Sequence, residues 1–149
     1  MPKTLAQLYE TDFVGWTEQT VQLIRAAQFA QVDWDAVIQE IESLGRSERR
    51  ELKSRLEVLL QHLLKWQYQS TLRSGSWQNT INEQRYRIAD LLQDSPSLKS
   101  YPQEVLPESY SRGRKAAINE TQLPQSKFPV ECPYTIAQIL DTEFLPEAA

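Results

Sequence analysis

Residues 41–66 read IESLGRSERRELKSRLEVLLQHLLKW, and the way this run divides decides what the chain folds into. Leu52, Leu56, Leu59, Leu60, Leu63, Leu64 and Trp66 recur at intervals of three and four, the spacing of one apolar helix face. The helix they mark runs from about Glu48 to Tyr68. At 1.5 Å per residue it spans roughly 30 Å, long enough to be the spine of a domain. Gly45 precedes it. Glycine takes the left-handed conformation that ends a helix at no steric cost, so a break is expected there, with Ser47 capping the new helix. One continuous helix through Gly45 is the alternative, at a cost of about 1 kcal/mol relative to alanine.

Upstream, Phe13, Trp16, Thr20, Leu23, Ile24 and Ala27 keep helical spacing, with Thr11 or Asp12 placed to cap the start. In QVDWDAVIQEIESLG, Asp33 reads as an N-cap and Asp35 suits the positive helix end. Trp34, Val37, Ile38 and Ile41 form the expected inward stripe.

Downstream, STLRSGS makes a turn, with Ser76 as the expected cap of a second long helix carrying Trp77, Ile81, Ile88, Leu91 and Leu92. The short connection predicts that the two long helices are antiparallel. Trp66, Tyr68 and Trp77 are expected to pin the turn between them. Prolines in DSPSLKSYPQEVLP end the second helix. A further helix is expected from about Pro107 to Glu120, with Tyr110, Ala117 and Ile118 inward. QLPQSKFPVECP reads as extended, and a last short helix covers Tyr134 to Leu140. The fold class is therefore all-α: a helical bundle built on two long antiparallel helices, with an extended proline-marked segment and a short C-terminal helix. Residues 1–149 are expected to form a single helical domain.

Composition agrees. Of 149 residues, 40% are hydrophobic and 24% charged, a globular rather than a disordered balance. The single cysteine, Cys132, excludes an internal disulfide framework and suits a reducing compartment. The first residues show no secretory pattern, and no window nears the ~20 apolar residues of a membrane helix. The expected setting is the cytoplasm.

The net charge of −4 argues against a general nucleic-acid binder, but the charge is segregated. Residues 1–45 hold two bases against seven acids, residues 46–115 thirteen against eight, and residues 116–149 one against five. Mutual neutralisation within one fold explains this most simply. The basic middle also supplies the candidate partner-binding residues Arg46, Arg50 and Lys53, with Arg49 nearby, and Arg112, Arg114 and Lys115 in SRGRKAA. Glu51 with Arg55 and Lys53 with Glu57 are spaced to pair along the helix.

Catalytic patterns are poorly represented. His62 has no carboxylate or second histidine three or four residues away, so it lacks a helix-borne metal partner and reads as a histidine at the edge of the core. Cys132 lies beside Glu131, which opposes thiolate formation, and before Pro133. Asp33 and Asp35 belong to a helix start. Glu40 and Glu42 point about 200° apart on a helix and cannot share a proton or a metal. Four glycines, none in a phosphate-cradling loop, give no nucleotide motif. No pattern calls for a cofactor or a metal.

Three blocks in order, YETDFVGWTEQTVQLIRAAQFAQVDWDAVIQEIESLGRSERREL, HLLKWQYQ and CPYTIAQILDTEFLP, resemble a bacterial family called domain of unknown function family 29. The likeness covers nearly the whole chain. It implies a small, mostly helical cytoplasmic protein and brings no catalytic residues with it. Gly45, His62, Trp66 and Cys132 are read as matching family features.

The function expected from all of this is non-enzymatic: a protein–protein interaction or regulatory module whose basic residues meet a partner with an acidic surface. A nucleic-acid-linked, antitoxin-like regulator using the basic middle segment is the alternative, and a Cys/His-dependent enzyme a second. A homodimer through a helix stripe is compatible with the pattern, and no membrane association is expected.

Overall fold

A computed structural model describes all residues 1–149, and every regular element in it is helical. The α-helices are α1 (Leu5–Thr11), α2 (Phe13–Arg25), α3 (Trp34–Tyr68), α4 (Gly75–Asp94), α5 (Tyr101–Thr121) and α6 (Ile136–Leu140). Single 3-10 turns at Phe29–Gln31, Ser70–Leu72, Pro96–Leu98 and Gln125–Lys127 link them. Contacts divide the chain into two compact units, Met1–Arg46 and Ser47–Ala149, and α3 contributes to both.

In the first unit, α1 begins with a reciprocal cap between Thr4 and Gln7. Asp12 then closes α1 and opens α2, its carboxylate accepting from the Gly15 amide at 3.0 Å. Leu8, Trp16 and Ala36 form a small core, flanked by Leu5, Tyr9 and Val37. Tyr9 packs edge-on to Trp16 with ring centres 4.8 Å apart, and its hydroxyl donates to Glu40.

The start of α3 departs from the sequence reading in two ways. Asp33 does cap it, accepting from the Ala36 amide at 3.2 Å. The inward position, however, is Ala36, with Val37 half-buried, while Trp34, Ile38 and Ile41 of the expected stripe are exposed. The expected break at Gly45 is also absent: α3 continues through it, and Ser47 caps nothing. Gly45 does not adopt positive φ, and Glu42 and Arg46 make an i,i+4 ion pair across it at 3.8 Å. Every residue from Ile41 to Arg50 is exposed, so helical hydrogen bonds rather than tertiary packing hold this stretch.

The second unit holds the main core. Leu56, Leu59, Leu60, Leu63 and Leu64 of α3 meet Ile81 and Ile88 of α4, Tyr110 and Ala117 of α5, Ile139 of α6, and Phe128 and Tyr134 from the segment between α5 and α6. The α3–α4 pairing is antiparallel, as expected. Lys65 lies against Trp77, Arg55 reaches Gln84, and Leu52 packs on Leu91, so contacts climb one helix while descending the other. Ser74, not Ser76, caps α4, accepting from the Trp77 amide. The turn is fixed by Arg73, whose Nε donates to the Trp66 carbonyl at 2.8 Å while its guanidinium stacks on the Trp66 ring.

Helix α5 starts six residues before the expected Pro107 and carries that proline inside it. The carbonyl deprived of its donor belongs to Gln103, an exposed residue that water can serve. Pro102 sits in the first turn, where a missing amide costs nothing. Packing of Val105 and Leu106 on the core and of Tyr101 against Leu98 holds this early turn in place. Gln122 closes α5 in the left-handed conformation at φ 57°. The segment after it contains one 3-10 turn and is otherwise irregular, and α6 opens at Thr135 with a reciprocal cap to Gln138.

Candidate interaction surfaces

Helix α5 runs parallel to α3 at a constant sequence offset. Lys53 pairs with Glu108 at 2.5 Å, Glu57 with Arg112 at 3.7 Å and Lys65 with Glu120 at 2.7 Å, each pair 55 residues apart. Signs along α3 read plus, minus, plus at these positions, and along α5 minus, plus, minus. The two backbones approach closely at Gly113, where a Cβ would stand 2.8 Å from the Glu57 carbonyl oxygen.

This ladder absorbs much of the basic cluster. Lys53 meets Glu108 of α5 rather than the expected Glu57. Arg112 bridges Glu57 and Glu108. Arg114 spends its guanidinium on carbonyls of the segment after α5, donating to Phe128 at 3.0 and 3.2 Å and to Gln125 at 2.9 Å. Among the six candidate partner-binding residues, Arg46 makes only the exposed pair with Glu42, and Arg50 and Lys115 are exposed without an ion pair. The expected Glu51–Arg55 pair is present at 3.0 Å. Glu108 and Glu120 are held below the usual carboxylate range, the first by the hydrogen bond from Lys53 and the second by that from Lys65.

Two buried cations escaped the sequence reading. Lys65 is 2% exposed, its ammonium resting 4.3 Å from the centre of the Trp77 ring. Arg85 is also buried; its Nε donates to the Ile139 carbonyl at 2.8 Å and its Nη2 to that of Gln138 at 3.4 Å. It thereby satisfies the C-terminal end of α6, the end of a helix that favours a cation. Desolvation lowers its pKa, partly offset by Asp141. Both cations sit at ordinary helical intervals, so nothing in the local pattern distinguishes them from solvated ones.

His62 and Cys132 occupy different settings. His62 is half-buried on α3 with Nδ1 2.9 Å from the Val58 carbonyl, and desolvation lowers its pKa. The Cys132 thiol faces the Tyr134 carbonyl at 3.4 Å, and burial pushes its pKa up. Cys132 lines a groove of about 340 Å³ with Leu106, Pro107, Tyr110, Val130 and Glu131. A thiol with a raised pKa resists thiolate formation, so Cys132 is not tuned as a nucleophile. No three His, Cys, Asp or Glu side chains gather to hold a metal, and no helix is long and apolar enough to cross a membrane.

Four side chains expected on inward helix faces, Phe13, Trp34, Ile38 and Ile41, stand on the surface of the first unit. Phe13, Val14 and Val21 of α2, Phe29 after it, and Trp34, Ile38, Ile41 and Leu44 of α3 are all exposed, whereas the larger second unit exposes only Leu72, Tyr86 and Val130. Scattered apolar side chains are normal on a protein surface, and those of the first unit are denser than those of the second. Along α3 the exposures are 42% for Trp34, 52% for Ile38, 63% for Ile41 and 68% for Leu44.

The family model described as "Domain of unknown function DUF29" matches residues 8–145. No curated protein and no solved structure matches the chain. A match over nearly the whole length assigns the family: this chain belongs to the DUF29 family.

Proposed function

We propose that the protein is a non-enzymatic protein–protein interaction module of the cytoplasm, in which the second unit is a packed body and the first unit carries the contact surface. One observation carries this reading: besides the terminal Met1, eight large apolar side chains stand exposed on the 46 residues of the first unit. Each is about half exposed, so a partner that covered the rest would contribute roughly half of the ~1.5–3 kcal/mol of full burial. The Cys132 thiol, facing a backbone carbonyl and pushed away from thiolate formation by burial, weighs against the Cys/His-dependent alternative.

The basic cluster plays a narrower part than its sequence suggests. With Lys53, Arg112 and Arg114 engaged internally, an acidic partner or a nucleic acid would meet chiefly Arg46, Arg50 and Lys115, with Arg49 beside them. So few phosphate contacts give weak binding, which favours a protein partner. The test is a photo-crosslinking amino acid placed at Ile41 in the full chain and irradiated in cells. The reading expects a discrete higher-mass adduct from Ile41 and none from Arg87, which is exposed on α4. Absence of any adduct from Ile41, Ile38 or Trp34 would remove it.

A further inference from the structure

Resting on that reading, we propose that the occupant of the exposed α3 face is the same face of a second copy, laid antiparallel to make a two-fold dimer. Trp34, Ile38, Ile41 and Leu44 recur at four, three and three residues, so they follow one edge of a helix and fit a helix-shaped partner. From Ile41 to Arg50 every residue of α3 is exposed, so no neighbour covers this stretch on any side. A second helix packing at the usual 8–10 Å between axes would cover it.

Charge decides between a second copy and another helix, and sets the direction. The stripe begins at Asp33 and Asp35 and ends at Arg46. Glu40 and Glu42 flank Ile41 on opposite sides of the helix, so acid prevails from Asp33 to Glu42 and the first base is Arg46. A parallel copy would place Asp35 against Asp35 and Arg46 against Arg46, which is repulsive at both ends. An antiparallel copy centred on Ile41 sets Ile41 against itself and Ile38 against Leu44 of the other copy. It also brings Arg46 beside Asp35 of the other copy, twice over by symmetry. The only present partner of Arg46 is Glu42 at 3.8 Å, with both side chains more than half exposed, so Arg46 is held weakly and is free to reach across. An unrelated helix would have to reproduce this dipolar pattern in reverse; the chain already carries it.

The experiment uses the full chain. Sedimentation velocity should find a dimer, and Ile41→Glu should weaken association at least tenfold while leaving the helical circular dichroism unchanged, because Ile41 is exposed and belongs to no core cluster in the monomer. In a Cys132→Ser background, Ile41→Cys treated with a short bismaleimide should give a species of twice the chain mass. Val21→Cys, exposed on α2, should not. A monomer at about 100 µM, where a dimer of even 10 µM Kd would be mostly associated, overturns the proposal. So does a dimer that survives Ile41→Glu, or one in which Ile41→Cys fails to cross-link. A monomer that nonetheless yields a photo-adduct with a different protein would end the dimer and leave the interaction-module reading standing.

Discussion

Lys65 Nζ donates to Glu120 Oε1 at 2.7 Å while lying over the Trp77 ring, so one buried ammonium joins α3, α4 and α5. Glu120 is half exposed and also accepts from Gln61 at 2.5 Å. Water screens such a pair, and its ionic part is worth about 1 kcal/mol. The larger contribution is the buried four-carbon stem. Lys65→Ala is expected to cost ~2–4 kcal/mol, and Lys65→Met less than about 1.5 kcal/mol, both measured by urea unfolding. Because Glu120 titrates below its ordinary range in the fold, the pair's stabilisation is complete above the usual carboxylate pKa. It is lost as pH falls through the lowered folded value. Lys65→Met should remove that part of the acid sensitivity.

Two glycines inside helices should respond oppositely to alanine. Gly113→Ala places a methyl 2.8 Å from the Glu57 carbonyl oxygen and 3.1 Å from Leu60 Cβ. Overpacking of this kind costs ~1–3 kcal/mol, which the gain in helix propensity does not offset. Gly45→Ala meets no unfavourable φ and lies on an exposed helix, so it should stabilise α3 by up to about 1 kcal/mol. Thermal unfolding of the two variants side by side gives opposite shifts in Tm.

The sign at His62 is the reverse of an ordinary stabilising histidine. Desolvation holds its folded pKa below 6.5, so the unfolded chain binds a proton more readily. Stability is therefore undiminished above about pH 6.5 and falls as pH drops from there through the lowered folded value. His62→Gln keeps a polar group facing Val58 but does not titrate. Its stability measured between pH 7.5 and pH 5 should be flatter than that of the parent chain.

Arg85 predicts a local rather than a global effect. Arg85→Met leaves the carbonyls of Gln138 and Ile139 without their donor, at a cost of about 1–3 kcal/mol. Amide hydrogen exchange should rise first in α6 and in the residues after it. Protection in α3 at Leu59 to Leu64 should persist, because those leucines pack against α4 and α5 without it.

The sequence by itself determined which faces of the second unit's long helices turn inward, because a period of 3.6 is a local property. Leu52 to Leu64 buried themselves on the side their spacing named, and Glu51 found Arg55 one turn away. Asp12, Asp33 and Thr135 capped helices through amides only three residues on. What only the tertiary structure decided was every choice between equivalent local options. Trp34, Ile38 and Ile41 could face a core or solvent, and α1 and α2 packed instead on the side of Ala36. Lys53 could pair with Glu57 on its own helix, but the parallel approach of α5 put Glu108 closer. Helical periodicity says which residues share a face, and only the neighbouring helix says which face is covered.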